Sequence, residues 1–213
     1  MSEQDTSIEE RENGPLIVKG GAMIARMDGE AVETRPVMAL CRCGASANKP
    51  FCDGTHAKIG FESRGGTPAG RDRVIAYEGA EVTVHFNPRL CAHAAECGRL
   101  AAHIFSDQQR PWIQPDKGSV AEVEAVVRAC PSGALQMSAP GEEAGQLFAD
   151  RAGISVQKDG PYWVQGIAPP VPMDAEGGSA AKFVLCRCGQ SGNKPFCDGS
   201  HRDAGWRDDA EES

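Results

Sequence analysis

Residues 41–56 read CRCGASANKPFCDGTH, and residues 186–201 read CRCGQSGNKPFCDGSH. Thirteen of the sixteen positions are identical, which makes them two copies of one motif rather than a chance likeness. Each copy offers three thiols and an imidazole: Cys41, Cys43, Cys52 and His56, then Cys186, Cys188, Cys197 and His201. Thiolate and neutral imidazole are metal donors. Cys-x-Cys sets two thiolates on one tight loop. Cys52 and His56 stand four apart, so a helical turn brings them to one side, with Asp53 as a candidate N-cap. The positive helix end would then face whatever anion the donors hold. A closed Cys₃His zinc site and a 2Fe–2S cluster both accept this donor set, and spacing alone leaves both open. Cys-x-Cys is nevertheless not a usual zinc-finger opening, where the first pair is more often two to four residues apart. Three further cysteines, Cys91, Cys97 and Cys130, lie between the copies.

Composition narrows the chemistry. The 213 residues carry 22 basic and 30 acidic side chains, a formal charge of −8, which argues against a nucleic-acid footprint and favours steering toward a basic protein partner. With 25 Gly, 14 Pro and 6% aromatic residues, the domains should be small, loop-rich and thinly cored, the kind that needs staples. The polar start lacks a signal-peptide core and no stretch reaches the length of a membrane span, so a cytoplasmic location with reduced thiols is expected. Reduced thiols and an odd count of nine cysteines favour metal ligation over disulfides.

Short elements must hold these donors. Gly14-Pro15 and Gly160-Pro161 precede the motifs, and Gly60-Phe61 and Gly205-Trp206 follow them, so a module of roughly fifty residues is duplicated. Its first copy reads as strands around an Asp28-Gly29 hairpin turn; in the second, YWVQGI and KFVLC are strands joined by the Pro/Gly loop APPVPMDAEGGSA. Between the copies, RDRVIAYEGAEVTVHF contains an alternating strand with Val82, Val84 and Phe86 on one face, and His85, opposite, is expected to be exposed. AECGRLAAHIF reads as helix, PWIQP as a short extended piece, and GALQMS as a closing strand. SVAEVEAVVRAC is an amphipathic helix with Ser119 and Glu122 spaced as a capping box, a stripe of Val120, Val123 and Val127, and a stop at Pro131. Linkers are expected around 62–71 and 140–152. His103 is expected to be structural or solvated, and Trp112, Trp163 and Trp206 to lie in cores. Lys49, Lys194, Arg42 and Arg187 flank the donors; they could offset cluster charge, dock a partner, or be solvated loop charge. No Ser–His–Asp arrangement, nucleotide-binding glycine fingerprint or P-loop is present.

Both motif copies resemble the CDGSH iron–sulfur (NEET) family pattern, C-x-C-x₂-[ST]-x₃-P-x-C-D-G-[ST]-H, at every specified position, including Ser46, Pro50, Ser191 and Pro195. The resemblance implies a 2Fe–2S cluster on each Cys₃His set and an internal pseudo-dimer of the two copies. CAHAAEC followed by CPSGAL resembles the single-cluster ferredoxins, in particular the divergent 4Fe–4S mono-cluster family. Where ordinary ferredoxin spacing puts a further Cys this chain has Ala94, so Cys91, Cys97 and Cys130 imply a 3Fe–4S cluster, or a 4Fe–4S cluster completed by His93. Three packed, metal-free cysteines are the plain alternative.

The expected fold is α+β: two small β-rich CDGSH modules (1–66 and 153–213) forming a pseudo-dimer around an inserted ferredoxin-like βαββαβ-type domain (72–140). The expected function is a one-electron carrier or relay between redox partners with pH-sensitive, His-ligated 2Fe–2S clusters, docking a basic reductase or acceptor, monomeric with an internal pseudo-twofold, and not itself an enzyme. Iron–sulfur cluster storage, transfer or redox sensing is the alternative, and a structural zinc protein a third.

Overall fold

The computed structural model describes residues 6–149 and 153–208. In the first repeat, β1 (Ser7–Glu10), β2 (Leu16–Lys19), β3 (Ile24–Arg26) and β4 (Val37–Leu40) precede the motif, and a one-turn helix α1 (Thr55–Lys58) ends it. The insert supplies β5 (Ile75–Tyr77), β6 (Thr83–Phe86), α2 (Glu96–Ala101), α3 (Val120–Ala129) and β7 (Leu135–Ser138). The second repeat returns with β8 (Gly153–Val156), β9 (Tyr162–Gln165), β10 (Lys182–Leu185) and the one-turn α4 (Ser200–Asp203). No helix among the described residues is long and apolar enough to cross a membrane.

The chain divides into two units. One takes in the described residues of both repeats, up to Ala69, on to Met173 and again from Ser179; the other runs from Gly70 through the insert and adds Asp174–Gly178.

In the repeat unit, each copy folds a tight reversal into an antiparallel pair. Gly14 N donates to Arg11 O and Asn13 takes φ 49°, while in the second copy Gly160 N donates to Gln157 O and Asp159 takes φ 51°. Asn and Asp tolerate this left-handed backbone. Alternation then sends Leu16 and Val18 fully inward, with Ile17 and Lys19 half-buried on the other face. The first sheet runs β1-β2-β4 and the second β10-β9-β8-β3. The Asp28-Gly29 turn is present, with Gly29 N on Arg26 O and Glu30 N on Asp28 Oδ1. The strand leading into it, however, does not return to its own sheet. Gly20 and Gly21, both at positive φ, swing the chain away, and β3 pairs parallel with β8 of the other repeat, Ile24 opposite Ile154. One apolar core serves both copies, drawing Leu16, Val18, Ile24 and Leu40 from the first and Val164, Phe183 and Leu185 from the second. Full burial of each such side chain contributes roughly 1.5–3 kcal/mol.

The insert corrects the expected βαββαβ order. Its sheet is β5-β6-β7, all antiparallel, in the order β-β-α-α-β. A middle hairpin survives only as the isolated bridge Phe105↔Ile113, because Pro111 and Pro115 flank Ile113 and lack the N–H a ladder needs. Trp112 is half-buried rather than fully enclosed, with Phe86 edge-on at 4.9 Å and Tyr77 and Phe105 each at 6.2 Å. α3 begins with the capping box of Ser119 and Glu122; its buried stripe is Val123, Val126 and Val127, with Val120 only half-buried. His85 is half-buried against Ser138 Oγ at 3.1 Å, not exposed, because β7 covers that edge of β6. His103 is exposed and meets Glu122 at 3.2 Å.

The expected linkers are mostly exposed but are tied down at single points. Ser63 is buried and exchanges hydrogen bonds with Asn13, and Met137 and Gly145 bridge. Across the core, the Tyr162 hydroxyl donates to Cys41 O at 2.8 Å and Pro50 O at 3.0 Å. Tyr162→Phe would take the hydroxyl donor from both buried carbonyls, leaving Pro50 O with the Cys41 N–H alone. It should destabilise the protein by about 1–3 kcal/mol, read by chemical denaturation of the full chain; an unchanged midpoint would contradict this account of Tyr162.

Candidate iron–sulfur sites

Each motif loop is built by residues that the two copies share. β4 delivers Cys41, whose N–H donates to Pro50 O (2.8 Å), while Cys52 N donates to Ala39 O (2.8 Å), so the loop closes on the strand that opened it. The second copy repeats this with Cys186 N on Pro195 O (2.9 Å) and Cys197 N on Val184 O (3.1 Å). Inside the loop, Ser46 Oγ donates to Phe51 O (2.6 Å) and accepts from Asn48 N; Ser191 does the same with Phe196 and Asn193. Both serines are about 1% exposed, so these hydroxyls are structural parts of the loop. The lysines fold back as well, Lys49 Nζ onto Ser46 O and Lys194 Nζ onto Ser191 O.

Asp53 and Asp198 act one residue earlier than an N-cap. Gly54 and Gly199 occupy the cap positions, at φ 88° and 90°. Asp53 instead joins the loop to the helix, accepting from Ala47 N (2.9 Å) and Thr55 N (3.0 Å), and Asp198 accepts from Gly192 N and Ser200 N. Hydrogen bonds from Thr55 and Ala47 hold the Asp53 carboxyl well below the usual carboxylate range. The helices are single turns, too short for the axial field expected of them.

The donors stand in pairs. Cys41 and Cys43 Sγ are 3.7 Å apart, and Cys52 Sγ lies 3.3 Å from His56 Nδ1. Cys186 and Cys188 Sγ are 3.7 Å apart, with Cys197 Sγ 3.5 Å from His201 Nδ1. Two sulfurs bound at about 2.3 Å to one tetrahedral metal are ~3.8 Å apart, and a sulfur and an imidazole nitrogen slightly closer. The residues therefore fit a metal–sulfur group. The thiols are also prepared for it. The Cys41 thiol is drawn down to about 5 by a hydrogen bond from Cys43, helped by the N–H groups of Ser46 and Gly44 against the opposing effect of burial; the Cys186 thiol is drawn to about 6 in the same way by Cys188. Cys43 and Cys188, which keep the shared proton, are pushed up. Burial pushes Cys52 up, although Gly54 N donates to its sulfur at 3.4 Å.

In the insert, Cys91 follows a 3₁₀ turn (Pro88–Leu90), Cys97 lies in the first turn of α2, and Cys130 caps α3. Burial raises the Cys97 thiol, and Cys130 is near enough to raise it further. His93 is exposed at φ 52°, and Ala95 stands at φ 63° on the other side of Ala94. His93 N donates to Cys91 Sγ at 3.4 Å. Among the described residues, no three Cys, His or acidic side chains converge at the spacing one metal ion requires. None of the nine cysteines is in a disulfide.

Residues 13–57 and 159–202 both match the family described as "Iron-binding zinc finger CDGSH type". The chain belongs to the CDGSH iron–sulfur family. Between the two CDGSH domains, residues 77–140 match the family described as "Divergent 4Fe-4S mono-cluster". The protein is also similar to "Uncharacterized protein YjdI" of Escherichia coli strain K12 and of E. coli O157:H7. In each case it is 42% identical over 60 residues, covering 28% of this chain and 79% of the relative.

Two of the three roles expected for the arginines of this CDGSH protein do not hold. Arg42 and Arg187 are 2% and 3% exposed, so they are neither solvated loop charges nor docking groups. Arg42 donates to Gly14 O, Arg11 O and Glu10, with its guanidinium over the Phe61 ring. Arg187 donates to Gln157 O, Gly160 O and Asp208, and lies over Tyr162 and Trp206. Each fixes the reversal between the first two strands of its repeat to the motif. The Gly-aromatic pair was the legible signal, since its ring is what the arginine stacks on. Burial alone would raise the Glu10 carboxyl, but hydrogen bonds from Arg64 and Arg42 outweigh it and hold the pKa below its usual value. Such a group stabilises the fold above its unfolded pKa, and that contribution is lost as pH falls through the folded value. Glu10→Gln should therefore lower the melting temperature at pH near 7, with the difference from wild type shrinking below about pH 4; a difference independent of pH would contradict the ion pair's role.

Proposed function

We propose that the chain is a multi-cluster one-electron carrier between redox partners, with a 2Fe–2S cluster on each CDGSH set. The observation that carries this is the two-and-two pairing of donors: a thiolate pair and a thiolate–imidazole pair suit the two irons of a binuclear cluster. Bound there, such a cluster accepts and returns single electrons. Cys41, Cys43 and Cys52 with His56, and Cys186, Cys188 and Cys197 with His201, would hold the two. The shared core and the loan of β3 to the second sheet support reading the repeats as an internal pseudo-dimer. In the insert, Cys91, Cys97 and Cys130 would hold a 3Fe–4S cluster, or a 4Fe–4S cluster with His93 as fourth ligand. The absence of a catalytic constellation from the sequence fits a carrier rather than an enzyme, and the net charge of −8 fits a reductase or acceptor with a basic face. Nine cysteines, an odd count, in donor-spaced groups fit a reducing compartment such as the cytoplasm.

A second reading, cluster storage or transfer, is favoured by one observation: Cys43, Cys52 and His56 are all half-exposed. Iron and acid-labile sulfide quantitation with EPR on anaerobically purified protein tests both. About seven or eight irons per chain are expected, reduced and reoxidised reversibly without loss; zinc in place of iron would overturn both readings, and release to an apo-acceptor on reduction would favour transfer. An oxidised 3Fe–4S centre in the insert would give an EPR signal that oxidised 2Fe–2S lacks.

Three thiolates and a neutral imidazole leave the oxidised cluster one unit less negative than four thiolates would, which favours accepting an electron. The imidazole is also the donor for which protons compete. His201→Cys should lower the reduction potential of that site and flatten its dependence on pH. Spectroelectrochemistry showing an unchanged potential would exclude this role.

A further inference from the structure

The two motif copies are nearly identical in sequence yet differ in access. In the second copy all four donors are buried, with Cys186, Cys188, Cys197 and His201 between 1% and 7% exposed. In the first, only Cys41 is buried; Cys43, Cys52 and His56 are half-exposed. Asp53 is exposed and Asp198 is buried, although the two make matching hydrogen bonds. The cause must lie outside the donors, which are the same.

One of the three sequence differences shows part of it. Position 47 is Ala and its counterpart 192 is Gly. A Cβ on Gly192 would stand 2.1 Å from Thr67 O, and one on Gly66 would stand 2.7 Å from Gly192 Cα. The chain leaving the first module therefore lies as a strap directly on the second motif loop, in contact too close for any side chain. Ala47, by contrast, is exposed. Cavities touch both sets, but unequally: one of about 260 Å³, lined by Glu33, Arg35, Val37, Asn48 and Phe51, reaches the ligand Cys52 of the first set, and a wider one of about 560 Å³ beside Gly66 and Gly192 reaches Cys43 and Cys188 alike.

We infer that the copies have diverged in access: the set on Cys41, Cys43, Cys52 and His56 is the solvent-facing exchange site, and the strap through Gly66 and Thr67, seated on Gly192, encloses the set on Cys186, Cys188, Cys197 and His201. This rests on the reading that both sets hold iron–sulfur clusters. The first set then meets external acceptors of electrons or of iron, and the second is retained while the first turns over.

The test is chelator challenge of the full-length holoprotein with excess EDTA, followed by loss of visible absorbance. The phase missing from Cys97→Ser belongs to the insert. The two remaining phases should have equal amplitude and rates differing by about tenfold or more, a gap set by the free energy of exposing the enclosed donors. Cys52→Ser should lack the fast phase and Cys197→Ser the slow one. Gly192→Ala keeps every donor and writes the first copy's residue into the second. Its φ is not in the left-handed region, so the methyl should displace the strap and speed the slow phase toward the fast one without altering the latter. A single rate for both sets, a fast phase that survives in Cys52→Ser, or a slow phase unmoved in Gly192→Ala would overturn the inference. Absence of iron and labile sulfide before chelator is added would instead overturn the reading beneath it, so the two failures are separable.

Discussion

The repeat unit depends on one close approach, where the backbone of Cys43-Gly44 meets that of Cys188-Gly189. Cys43 and Cys188 form an isolated antiparallel bridge. A Cβ on Gly44 would stand 2.6 Å from Cys188 O, and one on Gly189 would stand 2.7 Å from Cys43 O. Both glycines are also left-handed, at φ 81° and 79°, so the residue after Cys-x-Cys is constrained twice, by conformation and by space. Once these loops touch, the other links across the repeats follow: Tyr162 reaches the carbonyls of Cys41 and Pro50, Trp206 Nε1 donates to Gly44 O at 3.2 Å, and the two sheets close over one core.

The copies have drifted apart around that contact. Leu16 is matched by Tyr162, whose hydroxyl serves the first copy's loop rather than its own. Phe61 is matched by Trp206, whose indole likewise reaches across. Arg42 finds its carboxylate upstream, at Glu10 in β1, whereas Arg187 finds one downstream, at Asp208. Both solutions neutralise a guanidinium that a small core could not otherwise bury. The motif is conserved between the copies, but its supports are not interchangeable.

How much was legible in the sequence follows from the range of the forces involved. The donor sets, the Asp28-Gly29 turn and the Ser119–Glu122 capping box depend on residues a few positions apart, and local spacing marks them. The departure of β3 to the other sheet depends on Ile154, far along the chain, and hydrophobic alternation looks the same whichever partner a strand finds. The burial of Arg42 and Arg187 is not legible locally, because a charge between two ligands resembles a surface charge until its carbonyl partners, remote in sequence, are known. In the insert, the ladder lost around Ile113 was announced by Pro111 and Pro115, a signal present in the sequence but outweighed by the ferredoxin likeness.

The loan of β3 also shapes how the protein is made. Ile24 leaves the ribosome early, yet its partner Ile154 is translated 130 residues later. At ~5–20 residues per second the nascent chain waits on the order of ten seconds with an unpaired strand and half a core exposed. Folding of this unit thus cannot be completed until the second repeat has emerged, and the first motif waits meanwhile on a scaffold not yet synthesised.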